Sequence, residues 1–207
     1  VGDNRRYEYR PGSQARRAEF GAIAEWVPPG AKVLDLGCGD GSLLELLVEK
    51  RKVRGEGMEV TPSGVEVCRN KGLEVRQGRI DEKLPWADDA FDIALCNVTL
   101  QMVMYPEMLL TEMARVAPKQ IVSFPNFANL KNRLELMFLG RMPRAMLFGH
   151  FWWNTGHVHQ LSLKDFKDLL PQLGLNIRRE VHLGRMPLKK LAPNLLATLG
   201  IFELARS

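Results

Sequence analysis

Residues 33–47 read VLDLGCGDGSLLELL. An apolar run carries one carboxylate, Asp35, into three glycines at alternate positions, Gly37, Gly39 and Gly41, before a helical pattern begins. A glycine-rich turn between a strand and a helix lets backbone approach a ligand closely and aims the free N–H groups of a helix start at it. Phosphate is the usual occupant of such a turn, yet this one has no lysine and two acids, Asp35 and Asp40. The phosphate loop GxxxxGK[ST] is absent, and the GxGxG spacing does not meet the dinucleotide fingerprint GxGxxG. A pyrophosphate would also meet the like charge of Asp35. The loop therefore predicts a cationic ligand.

Outward from the loop, short apolar segments alternate with helical patterns. Strands are expected over 32–36, 53–59, 73–77, 91–98, 120–124, 175–183 and 200–206, with 53–59 weakened by its glycines. Helices are expected over 14–27, 41–50, 62–72, 106–117, 127–140 and 163–173. Pro62 and Pro106 suit first helical positions, and Ser162 an N-cap. Such alternation predicts an α/β fold with a mostly parallel sheet and helices on both faces. Residues 141–161, rich in aromatics and histidine, break the rhythm and read as a cap over a site within a single domain spanning 1–207.

Composition bounds the alternatives. The 207 residues are 45% hydrophobic and 26% charged, which suits a globular chain with a full core. No apolar run approaches the roughly 18–20 residues of a membrane span, so no membrane partner is expected. VGDNRRYEYRPGS lacks the apolar centre of a signal peptide. Cys38, Cys68 and Cys96 are scattered and form no CxxC pair, so neither a metal site nor a disulfide framework is indicated, and a reducing cytoplasm is expected. The net charge of +5 is spread over Arg5, Arg6, Arg16 and Arg17, residues 131–144 and the last third of the chain. There is no dense basic block interleaved with aromatics, and solvated faces or an anionic substrate account for the charge as well as nucleic acid does.

In a parallel sheet, ligands bind at the carboxyl ends of the strands, where strand order reverses. Glu59 ends the second expected strand, where a carboxylate can accept both hydroxyls of a ribose. S-Adenosylmethionine satisfies the whole set: its ammonium suits Asp35, its carboxylate suits backbone N–H groups near Gly39 and Gly41, and its ribose suits Glu59. Asn97 and Gln101, after the fourth strand, are placed to touch the methionine part or an acceptor. Asn126, in SFPNF, is either a polar group facing the acceptor or an N-cap of the next helix. His157 and His159 lack a third ligand at metal spacing; His159 is either a base or a packing residue of the cap. Arg133 and Arg141 are either anion contacts or solvated helix residues.

DLGCGDG followed by a strand-end acid resembles the first two motifs of the class I S-adenosylmethionine-dependent methyltransferases. A narrower likeness covers LDLGCGDGSLL, LCNVTLQMV, IVSFPNFANLKNRLELMFLGRMP and WWNTGHVHQLSLKDF, which resemble the MetW family of methionine biosynthesis. The resemblance implies a Rossmann-like sheet of seven strands, the last forming an antiparallel pair. It implies cofactor contacts at Asp35, Gly37, Cys38, Gly39, Gly41, Met58, Glu59, Asp81 and Asn97, with S-adenosylmethionine, or S-adenosylhomocysteine as product, as the ligand. His159 matches the family motif better than His157. One departure stands out. The superfamily often ends its third strand Gly-Asp, with that Asp accepting from the adenine amine, whereas this chain has Gly78-Arg79-Ile80-Asp81. Arg79 cannot accept, so Asp81 or a backbone carbonyl near Ile80 must.

Two activities fit. One is methyl transfer to a small acceptor, with Asn126 and His159 as candidate catalytic residues. The other is a non-catalytic partner subunit that binds the cofactor and activates homoserine O-acyltransferase. Nucleic-acid methylation is disfavoured, because NVTL at 97–100 is not the Asn/Asp-Pro-Pro-Tyr/Phe acceptor motif.

Overall fold

A computed structural model describes residues 8–9, 17–144, 151–153 and 155–207. Arg5, Arg6 and Arg16, the start of the helix expected at 14, and residues 145–150 and 154 of the expected cap lie outside them.

Seven strands form one sheet: β1 (Lys32–Leu36), β2 (Arg54–Glu59), β3 (Glu74–Gln77), β4 (Ile93–Asn97), β5 (Lys119–Pro125), β6 (Leu175–Leu183) and β7 (Leu199–Arg206). Their spatial order is β3-β2-β1-β4-β5-β7-β6. β1 to β5 pair in parallel, and β7 runs antiparallel between β5 and β6. Strand order reverses between β1 and β4, which places a crevice beyond Leu36. The glycines of β2 do not break it. A Cβ on Gly55 would lie 2.5 Å from Leu44 Cδ1, so the glycine admits the helix that follows β1.

Among the described residues, seven α-helices accompany the strands: α1 (Ala18–Trp26), α2 (Ser42–Arg51), α3 (Pro62–Asn70), α4 (Pro106–Val116), α5 (Leu130–Leu139), α6 (Leu163–Leu169) and α7 (Pro193–Leu196). Thr61 caps α3 through its side chain, with Pro62 opening the helix. Ser162 and Asp165 form a reciprocal capping box on α6. α5 begins three residues later than the spacing predicts. Its N-cap is Asn129, whose side chain accepts from Asn132 N–H, rather than Asn126.

Apolar side chains fill both faces of the sheet. One face packs α1 and α2 through Phe20, Ile23, Leu44 and Leu47 against Val33, Leu95 and Ile121. The other packs α4 and α6 around Phe124, Phe166 and Phe202, whose rings meet pairwise at 4.8–5.6 Å. Each buried phenyl contributes about 1.5–3 kcal/mol. α5 differs: only Asn132 of its ten residues is buried, while Leu134, Leu136, Met137, Phe138 and Leu139 are exposed.

Candidate functional site

The loop after β1 is a chain of left-handed glycines. Gly37, Gly39 and Gly41 have φ of 76°, 59° and 73°, a region that L side chains enter only at a cost. Space adds a second constraint at Gly37, where a Cβ would sit 2.5 Å from Thr99 Cγ2. The loop is tied to β2 from beneath: Gly37 and Cys38 N–H both donate to the Met58 carbonyl, at 2.8 and 3.2 Å. Asp40 accepts from Ser42 N–H at 3.1 Å, which assists the start of α2.

Beside this loop lies a cleft of about 700 Å³, part of it open to solvent. Gly37, Glu59, Val60, Thr61, the run Gly78 to Asp81, Thr99, Met102, Val103 and Tyr9 line it. It occupies the crevice at the carboxyl ends of β1 to β4.

Asp35 is 1% exposed, and its Oδ1 is buried without a hydrogen-bond partner among the described residues. Burial, reinforced by the Glu59 carboxylate, pushes its pKa up to about 7. A buried carboxylate without a donor is costly unless it is protonated or meets a cation. Glu59 is also buried but is well satisfied. Gly39 N–H donates to its Oε2 at 3.0 Å, and Thr61 N–H and Oγ1 donate to its Oε1 at 2.9 Å each. Burial and the Asp35 charge push the Cys96 thiol up to about 12, and Cys38 is raised as well, first by its contact with Cys68. Both thiols are therefore protonated and inert at neutral pH.

Several expectations change here. The Gly39 and Gly41 amides, expected to meet a ligand carboxylate, are spent on Glu59 Oε2 and on the Cys38 carbonyl at 2.9 Å. Asn126 does not face the cleft. It is fully buried, donates to the Asn194 and Ala197 carbonyls at 3.1 and 2.9 Å, and accepts from Ala128 N–H at 3.2 Å. Those bonds fix the end of β5 to α7, so Asn126 is an internal brace with no capacity left for an acceptor. His159 lies across the Leu100–Met102 turn from the cleft, with Nε2 3.4 Å from the Met104 carbonyl and its N–H donating to the Gln101 carbonyl at 3.1 Å. It supports the turn and does not line the cleft.

Cys38 packs with Val65, Cys68 and Val75 beneath α3, away from the cleft, and Met58 meets the site through its carbonyl. Asn97 Oδ1 accepts from Ser123 Oγ at 2.5 Å, joining β4 to β5. Val98 then turns the chain with φ of 52°, a rare conformation for a β-branched residue and a strain placed beside the site. Asp81 lines the cleft, but its Oδ2 accepts from Arg79 Nη2 at 3.0 Å and from Met104 and Tyr105 N–H at 2.8 and 3.4 Å. Tyr9, Val60, Thr99, Met102 and Val103 escape the sequence reading as lining residues. Thr99 packs on Gly37 and Tyr9 arrives from outside the sheet, and neither relation leaves a periodic trace.

Comparison with known proteins places this geometry. The family described as methionine biosynthesis protein MetW matches residues 17–204. A bifunctional methionine biosynthesis protein MetXA/MetW of Rhodopirellula baltica is 36% identical over 170 residues, covering 77% of this chain and 27% of that protein. A ubiquinone biosynthesis O-methyltransferase of Hahella chejuensis is 33% identical over 128 residues, 58% of this chain and 48% of that one. The chain thus spans about a quarter to a half of these relatives' lengths. Among solved structures, an S-adenosylmethionine-dependent methyltransferase of Mesorhizobium loti superposes with a TM-score of 0.69 at 19% identity, covering 92% of this chain and 99% of that one. Magnesium protoporphyrin IX methyltransferase of Synechocystis, with bound S-adenosylhomocysteine, gives 0.68 at 18% identity over 91% and 82%. These likenesses establish the Rossmann-like class I methyltransferase fold.

Proposed function

The chain belongs to the MetW family of methionine-biosynthesis proteins, and from that premise we propose that its cleft binds S-adenosylmethionine and serves methyl transfer to a small acceptor. The observation that carries this reading is Asp35, a buried carboxylate with an unpartnered oxygen beside a glycine loop. An ammonium group supplies the missing charge and donor together. Glu59, on the adjacent strand β2 and two residues beyond Gly57, the partner of Asp35, takes the ribose diol in exchange for part of its Thr61 contacts. Methionine-end contacts from Gly37 and Asn97 complete the reading, while Cys38 and Met58 hold the loop from behind. The sulfonium supplies an activated methyl group, so placement is the main demand on the protein. The three cysteines, free and buried, suit a reducing cytoplasm.

Calorimetric titration with S-adenosylmethionine and S-adenosylhomocysteine tests the binding. Saturable heat is expected for both, with Glu59→Ala weakening each by at least tenfold, as loss of a charged hydrogen-bond partner of about 1.5–3 kcal/mol requires. An unchanged affinity in Glu59→Ala contradicts the ribose assignment.

A second reading, a partner subunit that binds and activates homoserine O-acyltransferase, is favoured by α5. At 100° per residue, Leu134, Leu136, Met137, Phe138 and Leu139 point to all sides of a helix that hardly touches the body. Lys131, Asn132, Arg133 and Glu135 occupy its first half, so the apolar surface is a patch on its second half, and an exposed apolar patch of this kind suits a protein partner. The printed name of the fused relative, MetXA/MetW, puts such a partner in one chain with a homologue. Incubation with labelled S-adenosylmethionine and a metabolite extract separates the readings. Labelled small product supports methyl transfer. No product, with co-purification of the acyltransferase and a rise in its turnover, supports the subunit.

A further inference from the structure

A second concavity opens where the end of β6 meets the start of β7, between the first turn of α5, the segment after β6 and α7. It is a groove of about 1110 Å³, part of it open to solvent, and it shares no described lining residue with the cleft. Its walls are tied together. Thr198 N–H donates to the Leu183 carbonyl at 2.8 Å. Asn129 Nδ2, at the start of α5, donates to the Asn126 carbonyl at 2.8 Å, so the Asn126 brace fixes α5 and α7 at once.

We propose that this groove is a second ligand site, for a soluble phosphate monoester that carries an apolar chain. The inference does not depend on the reading of the cleft. Lys131, Arg185 and Lys189 are the ionisable side chains among its described lining residues, so its charge is of one sign. Cations grouped along one groove with no acid between them raise a positive potential that an anion relieves. The Lys131 and Arg185 side chains are exposed and make no hydrogen bond or ion pair to the described residues, so they turn to a ligand without breaking a protein contact. Lys189 is half-buried and its Nζ donates to the Gly184 carbonyl at 2.6 Å, which holds the ammonium in place and leaves further N–H donors. A phosphate monoester carries about 1.5–2 negative charges at pH 7 and accepts from several donors at once. The planar fork of an Arg matches it, whereas a single carboxylate answers fewer of the cations. Leu183, Leu195 and Leu196 supply an apolar wall that suits a hydrocarbon chain and that bare phosphate leaves unused.

Calorimetric titration of the chain with n-hexyl phosphate, hexanoate and inorganic phosphate tests this. Saturable binding is expected for hexyl phosphate, with hexanoate and phosphate each weaker by about fivefold or more, since one lacks the charge and the other the chain. Arg185→Ala and Lys131→Ala are each expected to weaken hexyl phosphate by about fivefold or more through loss of a charged donor. Both positions are exposed, so the melting temperatures are expected to stay at the wild-type value. Lys50→Ala, on α2 and lining neither cavity, is expected to leave the affinity unchanged. Absence of hexyl phosphate binding at millimolar concentrations, or equal losses in all three variants, overturns the site. Hexanoate binding as tightly as hexyl phosphate overturns the phosphate assignment. Flotation with phosphatidylcholine vesicles carrying phosphatidic acid separates a soluble ligand from a lipid head group. No flotation is expected, and flotation that is lost in Arg185→Ala overturns the soluble ligand.

Discussion

Asp35 couples its proton to the fold. Its folded pKa stands near 7 against an ordinary value of 3.8. The sign follows from linkage: between those values the unfolded chain gives up a proton that the free folded protein keeps, so this group's contribution to stability falls as pH rises from about 4 to 7. Asp35→Asn, which cannot ionise, is expected to flatten that part of the stability curve and to stabilise the free protein near pH 8 by up to a few kcal/mol, roughly the cost of the shift. Chemical denaturation across pH 4–8 measures it. The same substitution is expected to weaken binding of a cationic ligand, since it removes the anion that the ligand needs. Gly37 is the second residue whose role is local. Gly37→Ala meets both a positive φ and the Thr99 side chain at 2.5 Å. A loss of about 1–3 kcal/mol in stability is expected from the strain, together with lost ligand binding, read by melting and titration.

At the scale of elements, the three phenyl rings that join β5, α6 and β7 form the most concentrated part of the core. Phe166→Ala removes a ring 1% exposed and in contact with both others, and a loss of about 3–5 kcal/mol is expected in urea denaturation. α5 predicts the opposite pattern. Met137 and Phe138 are 67% and 72% exposed, so replacing both by Ser is expected to leave the melting temperature within about a degree, as exposed substitutions do. The same change is expected to abolish co-purification with the acyltransferase if α5 is the docked element. Elements were also where sequence reading succeeded most evenly. Every strand was legible: β1, β4 and β5 are buried apolar runs, while the edge strand β3, with only Val75 buried, shows as an alternation. β6 matches its expected 175–183, and β2 is continuous despite its glycines. α7 and the short 3-10 turns are too brief to hold a period, so they left no pattern to read.

For the whole molecule, the order of the strands creates a crevice, Glu59 and Asp81 line it from the ends of β2 and β3, and Asp35 lies buried in β1 behind the glycine loop that forms its edge. That convergence was legible because strand-end acids stand beside a glycine loop in the sequence. What the sequence could not supply was the occupancy of each polar group. Gly39 and Gly41 look free in a motif, yet their amides are bonded within the loop and to Glu59. Asn126 and His159 look poised in a polar run, yet one braces α7 and the other supports the Leu100–Met102 turn. Hydrogen-bond partners many residues away decide these cases, and no local pattern encodes them.

If a cationic ligand satisfies the buried carboxylate of Asp35, binding below pH 7 releases the proton that Asp35 holds in the free protein. Titration of the chain with S-adenosylmethionine at pH 6, in two buffers of different ionisation enthalpy, reads the protons exchanged. Release approaching about one proton per site is expected at about pH 6, falling toward none by about pH 8, with affinity rising up to about tenfold per unit of increasing pH below about 7 and no release in Asp35→Asn. Tight binding with no buffer dependence at pH 6, or an Asp35→Asn protein that binds and releases protons as the wild type does, would contradict it.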